Sequence, residues 1–300
     1  MKQFLTNIFC FLSIVFVLAV CADICVSHTL RHSKNQMYVG WNDIYNDTTH
    51  YDLVINGNSR ALQHFNPYIL DSLLLINTYN LGMNGSMINR QIIKYDKYCE
   101  LHGEPKYLLQ NIDLFTMAST MGYEREQFFP YFFYDRDLMQ TVDKFEHFTF
   151  AEKYLPYCRY MGIDIRPQDD GLYKGYKGKD NPWNGTDFLE QKNIALEKDS
   201  LMLRMFDNFL EKQIQTGIHI IFVYSPMYHG VIDKCPNMNK MYNMYDSIAS
   251  KYDIPILNYF EMPICYDTTY FYNAIHLNRI GAEIFTTHLA QDVDSIMLTQ

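Results

Sequence analysis

Tyr51-Asp52-Leu53-Val54-Ile55-Asn56-Gly57-Asn58-Ser59-Arg60-Ala61 decides how the chain is read. Leu53, Val54 and Ile55 form a short apolar run that suits a strand buried on both faces. Asn56-Gly57-Asn58 is a tight glycine turn, and Ser59 stands where a helix opens. A strand ending in such a turn delivers the next side chain to the carboxyl edge of a parallel sheet, where open α/β folds hold their ligands. That side chain is a hydroxyl, and a free hydroxyl is a poor nucleophile at neutral pH unless a base reaches it. Ser59 is therefore a candidate nucleophile, and the question is what else the fold brings to its edge.

Outward from this stretch, strands and helices alternate. Thr78 to Leu81 predicts a second strand, closed by Gly82-Met83-Asn84-Gly85-Ser86, where two glycines expose backbone N–H groups and Ser86 can cap a helix through Ile88, Ile92 and Ile93. Lys106 to Leu109 predicts a third strand, ending in Gln110-Asn111-Ile112-Asp113. Ile218 to Tyr224 is unbroken but for His219, as a central parallel strand should be, and it runs into Pro226-Met227-Tyr228-His229. Ile254 to Asn258 supplies a fifth. Helices are expected after Ser59 as far as Asn66-Pro67, at Asp71 to Ile76, from Asp187 to Gln215, from Met238 to Tyr252, and at the end with Ile280, Ile284, Phe285 and Leu289 on one face. This order predicts a flavodoxin-like three-layer α/β sandwich on a parallel five-stranded sheet. Between about residues 119 and 183 neither period persists, and the segment reads as an insertion or lid.

The amino terminus carries an apolar run from Ile8 to Ala22, broken only by Ser13. It fits a membrane anchor, or a signal peptide cleaved after Val20-Cys21-Ala22, and either way the chain is exported. Residues 1–26 are thus expected as anchor or signal, 27–50 as a polar stalk, and 51–300 as the folded domain. Apolar residues make up 48% and charged residues 20% of the 300, enough for a full core. A formal charge of -9 and the lack of any basic run argue against a nucleic-acid partner. No Cys/His spacing suggests zinc. Cys235 and Cys265 either pair or stay as free buried thiols. No G-x-G-x-x-G or P-loop follows a strand, which disfavours a nucleotide-binding domain.

The base should come from the same edge as Ser59. His276 directly precedes the last helix, and Asn273, three residues earlier, is placed to hold one ring nitrogen while the other faces the serine. That is the nucleophile, base and orienter logic of acyl transfer.

G-N-S after the first strand, N-x-G-x-N-G after the second and N-A-I-H-L-N before the last helix resemble the blocks of the SGNH (GDSL-like) hydrolase superfamily. They are similar, more narrowly, to its exported, membrane-anchored branch, which includes proteins of envelope O-acetylation and D-alanylation. The resemblance spans about residues 51 to 118 and 187 to 292. It implies Ser59 as nucleophile and His276 as general base. The implied oxyanion hole is formed by the backbone N–H groups of Ser59 and Gly85 and, if the register shifts by two, the side chain of Asn111. Asn84 and His229 are expected to contact substrate.

Two departures stand out. The family places Asp where this chain has Asn273, with Asp267 as a candidate substitute, and an ionised Asp113 would repel an oxyanion. The implied activity is a serine esterase or O-acyltransferase acting on acetyl groups of an envelope carbohydrate, without metal or cofactor. A membrane acyltransferase is a candidate partner. The rival is a non-catalytic envelope protein that keeps the fold and binds glycan or a partner.

Overall fold

The computed structural model describes residues 1–118, 125–166, 168–185, 198–236 and 238–299. In chain order its elements are α1 (Lys2–Leu30), α2 (Gln36–Asn46), β1 (Leu53–Asn56), α3 (Ser59–His64), α4 (Pro67–Leu74), β2 (Thr78–Asn80), α5 (Ile88–His102) and β3 (Tyr107–Asn111). There follow α6 (Arg136–Val142), α7 (Phe150–Tyr154), α8 (Ser200–Gln215), β4 (His219–Tyr224), α9 (His229–Ile232), α10 (Met238–Tyr252), β5 (Ile256–Asn258), β6 (Phe271–Asn273), β7 (His276–Leu277) and α11 (Arg279–Met297). The chain divides into two compact units, Met1–Asp43 with Glu124–Asp170, and Ile44–Tyr123 with Gly171–Gln300.

The larger unit is an α/β fold on a five-stranded parallel sheet in the order β2-β1-β3-β4-β5. Its strands are continuous apolar runs because helices cover both faces: Leu53, Val54, Ile55, Leu108, Leu109, Ile221, Phe222 and Val223 are fully buried. One layer packs α11 on α3 and α4, and the other packs α8 on α5 and α10. Register sets the functional edge. Ile55 lies opposite Asn80 and Leu109, Asn111 opposite Val223, and Tyr224 opposite Asn258. The loops that leave these strands therefore emerge side by side.

Local chemistry fixes the element ends. Asn58, Asn66 and Asn278 cap α3, α4 and α11 through their side-chain oxygens, and Pro67 opens α4. The long helix expected from Asp187 begins at Ser200, because the Asp199 carboxylate caps it there; residues 187–197 lie outside the described residues. The segment before the last helix, which carries Asn273 and His276, is not part of the sheet. It is the antiparallel β6–β7 hairpin.

The end of the expected insertion, from Gly171, belongs to this unit. The backbone N–H of Asn80 on edge strand β2 donates to Lys174 O (3.0 Å), so residues 173–176 give the open edge a partner. Gly175 is required there, since a Cβ would sit 1.8 Å from Asn80 O.

The smaller unit contains α1, which is long and apolar enough to cross a membrane. Residues 27–50, expected as a stalk, are largely helical. Helix α1 continues to Leu30, and α2 buries Tyr38 and Trp41, one turn apart, with Trp41 Nε1 donating to Gln127 Oε1 (2.7 Å). The polar residues between them hid this apolar spacing. Phe128, Phe129 and Tyr131 complete the core.

Candidate active site

Gly57 makes the bend after β1. Its φ is +156°, and a Cβ there would lie 2.7 Å from Ala61 Cβ and 2.9 Å from Asn111 Cβ. Only glycine lets the chain turn this closely between α3 and β3, and the turn places Ser59 at the first position of α3. The loop after β2 is held against the same bend. Met83 N–H and Ser86 Oγ both donate to Gly57 O, each at 3.2 Å. Gly82 permits that approach, since a Cβ would meet Leu62 N at 2.3 Å. Gly85, in the left-handed region at φ +56°, and the half-buried Asn84 sit in this loop.

The hairpin brings the imidazole. His276 Nε2 lies 2.8 Å from Ser59 Oγ, and His276 Nδ1 lies 3.0 Å from Asn273 Oδ1. The same Asn273 oxygen accepts the backbone N–H groups of Ile275 (3.1 Å) and His276 (3.0 Å). Two backbone donors converging on one atom identify it as the carbonyl oxygen of the amide. The Nδ1 facing it must then carry the proton, which leaves the Nε2 lone pair directed at the serine hydroxyl. Asn273 thus sets the tautomer without supplying a negative charge. Burial, followed by the cations of Arg60 and Lys179, presses the His276 pKa down to about 3. The imidazole is neutral across the ordinary pH range. Asp267, the alternative orienter, is exposed and bound to Thr269 N–H and Oγ1.

Asn111 occupies the end of β3 beside Gly57. It is fully buried, and neither its Oδ1 nor its Nδ2 has a hydrogen-bond partner among the described residues. An unsatisfied buried amide is costly, and such groups concentrate where a ligand completes them. Asp113 does not have the feared role. Its Oδ1 accepts from Phe115 N–H, Thr116 N–H and Thr116 Oγ1, and its Oδ2 accepts Asn58 Nδ2 (2.7 Å) with Arg60 Nη1 at 3.8 Å. The carboxylate is occupied beneath the turn.

Below the pair lies a buried polar floor that the sequence pattern did not reveal. The Arg60 guanidinium, on the residue after Ser59, donates to the carbonyls of Ser225 and Pro226. His64 on α3 accepts the backbone N–H of Leu277 at Nε2 (3.0 Å), so its Nδ1 carries the proton shared with Ser225 Oγ (3.1 Å). One helix thus presents the serine at its start and, through His64 at its end, grips the strand that carries the base. Burial, Arg60 and His276 all lower the His64 pKa. The only sequence signal was a histidine and an arginine inside a short helix that must be buried.

Other candidates sit differently. His229 stacks on Tyr266 (4.5 Å between ring centroids) and lies 3.3 Å from Asp233 Oδ2. Its neighbour Tyr228 reaches the hairpin, with its N–H donating to Ala274 O and its ring 5.1 Å from Trp183. Trp183 N–H in turn donates to Phe271 O, and Lys179 lies over the Tyr272 ring. Residues 179–183 therefore flank the hairpin with aromatic and cationic groups. Cys235 and Cys265 are free and buried.

No family model and no curated protein matches the chain. Among solved structures, a protein from Desulfitobacterium hafniense DCB-2 assigned to the lipolytic G-D-S-L family aligns with a TM-score of 0.42 and 10% identity, over 80% of this chain and 97% of that one. A member of the lipolytic G-D-S-L family from Veillonella parvula DSM 2008 gives 0.42 and 10%, over 80% and 96%.

Proposed function

We propose that the chain is a serine-dependent ester hydrolase or O-acyltransferase of the SGNH type. The observation that carries this reading is the relay Ser59 Oγ to His276 Nε2 (2.8 Å) and His276 Nδ1 to Asn273 Oδ1 (3.0 Å), formed by residues 217 positions apart. Ser59 Oγ attacks the acyl carbonyl while its proton passes to His276 Nε2. The oxyanion is received by the N–H groups of Ser59 and Gly85 and by Asn111 Nδ2, which has no other partner among the described residues. Collapse breaks the ester bond, and the leaving alcohol takes the proton from His276. Water or an acceptor hydroxyl then resolves the acyl-Ser59 by the reverse sequence.

The acyl group is acetyl and the substrate an envelope carbohydrate. The support is the resemblance of the three blocks to the exported branch, together with the half-buried Tyr228 and Tyr272 rings beside the hairpin, which suit the apolar faces of sugars. On this reading α1 holds the protein to a membrane, with the α/β unit facing the periplasm or cell exterior, and a membrane acyltransferase is the candidate acyl donor.

Asn273 favours a second reading, a glycan-binding protein without turnover. A fluorophosphonate probe separates the two on the full chain in detergent. Labelling of the parent that is abolished in Ser59→Ala is the expected result; an unlabelled parent leaves the binder.

A further inference from the structure

Helix α1 is not uniform along its length. From Lys2 to Leu18 every residue but Ser13 is exposed, and these residues cover about 26 Å at 1.5 Å per residue, close to the roughly 30 Å of a bilayer core. From there on, one face is buried. Asp23, Ser27 and Leu30 recur at helical spacing and pack into the smaller unit. The Asp23 carboxylate is buried in an ion pair with Arg159 and accepts the N–H of Tyr157 (2.8 Å), and Ser27 Oγ lies 2.6 Å from Tyr160 Oη. The end of the apolar stretch is thus fixed to residues 157–160.

Around this fixed point the unit exposes large apolar side chains that its own core could have covered. Phe133 is 67% exposed, Phe150 72%, Tyr154 65% and Met161 71%. They are close in space or sequence to the Asp23–Arg159 pair. The Arg159 guanidinium lies 4.7 Å from the Phe133 ring, the Phe150 and Tyr154 rings are 4.9 Å apart, and Tyr154 and Met161 bracket residues 157–160. A groove of about 330 Å³ opens beside them, lined by Phe132, Phe133, Arg136, Met139, Phe148 and Tyr154 together with the Lys153–Asp143 ion pair.

We propose that α1 remains attached as the anchor and that this surface is a membrane-docking collar, seated in the headgroup layer of the bilayer that α1 crosses. The argument is positional. If Lys2 to Leu18 fills the hydrocarbon, the next turns lie at the interface, and Asp23 holds residues 154–161 at that level. Aromatic and apolar side chains at this depth gain burial that water denies them. Arg136 suits a lipid phosphate beside an aromatic-walled groove. The inference is independent of the chemistry at Ser59, and it makes Asp23 and Arg159 a rigid mount in place of a flexible stalk.

The test uses the full chain in phosphatidylcholine vesicles, with one tryptophan added at a time as Tyr154→Trp, Met161→Trp or, past the carboxyl end of α1, Lys34→Trp. The parent, whose Trp41 and Trp183 are buried, is subtracted. Lipids brominated on the upper acyl chain are expected to remove most of the added fluorescence at positions 154 and 161 and to leave position 34 bright. Equal quenching at all three positions, or none at 154 and 161, overturns the collar. A blue-shifted but unquenched signal at 154 and 161 also overturns it, since a protein partner would then cover the surface.

Discussion

The two turns that meet at the candidate site are held in opposite ways. The Ser59 bend is fixed by distant parts of the chain: Gly57 pressed against Asn111, the loop after β2 bonded to Gly57 O, and the Asn58–Asp113–Arg60 group packed below. The His276 bend is largely local. Asn273 gathers two backbone N–H groups and one imidazole N–H from within three residues, and the hairpin's long-range ties include Leu277 N–H to His64 and Tyr228 N–H to Ala274 O. The difference teaches that position and polarity are separable. Asn273 aims the base at Ser59, yet its amide carries no charge that would stabilise an imidazolium.

Breaking either side outright should have the largest effect. Ser59→Ala and His276→Ala should each lower kcat on a chromogenic acetyl ester roughly 10⁴-fold or more, and the double variant should lose little beyond either one, because the pair acts as a unit. Additive losses would mean that the two residues do not share a step. Next comes the partner that links the two turns to substrate. Asn111→Ala should cost about 10²-fold or more in kcat, as removal of one oxyanion donor does. Because its amide has no partner among the described residues, the melting temperature should stay level or rise. A parallel loss of activity and stability would show that Asn111 is structural.

Asn273→Asp sharpens the comparison by adding the missing charge to the local turn. A carboxylate can accept the same three N–H groups, so the geometry should survive. In a serine protease the reverse change cost about 10⁴-fold, but that figure includes an inverted tautomer, which this site avoids, so the expected gain is smaller, about tenfold to 10²-fold. The pH profile gives the stricter reading. With His276 held neutral down to about pH 3, kcat/KM of the parent should stay level well into the acid range, whereas an ordinary imidazole would already be protonated. A neighbouring carboxylate favours the imidazolium, so the acid limb of the variant should move up in pH. An unmoved limb would place residue 273 away from the ring.

Much of this was legible in the sequence because parallel strands write themselves plainly. Leu53 to Ile55, Leu108-Leu109 and Ile220 to Val223 are apolar without alternation, and each is followed by a polar turn, so both the sheet and its functional edge follow. Ser59, Asn273 and His276 could be found because each adjoins a strand end or a helix start. The floor was illegible for the opposite reason. Arg60, His64 and Ser225 matter through partners far away in the chain, and no local period marks a buried arginine. The segment read as one insertion divides, since residues 173–176 bond to β2 while Phe128, Phe129 and Tyr131 form a second core with Trp41. An edge strand's need for a partner leaves no pattern in the residues that meet it.

The smallest effect tests His64, which ties the base side to α3. Both His64 and His276 are held neutral in the folded chain, with pKa values below the ordinary 6.5. As pH falls below 6.5, the unfolded chain takes up protons that the folded chain refuses, so stability is full above that pH and is lost on acidification towards the folded pKa values. Each histidine contributes a slope of at most about 1.4 kcal/mol per pH unit. Between pH 6.5 and 5 most carboxylates are ionised in both states, so melting measured across that window isolates the histidines. His64→Gln keeps one acceptor for Leu277 N–H and one donor for Ser225 while removing a titrating group. Its melting temperature should fall less steeply with acid than the parent's, and kcat on the acetyl ester should drop only a few-fold, by loosening the hairpin rather than by losing a reacting group. A slope as steep as the parent's would mean that His64 is already charged in the folded chain, and the floor beneath the relay would then have to be redrawn around a cation.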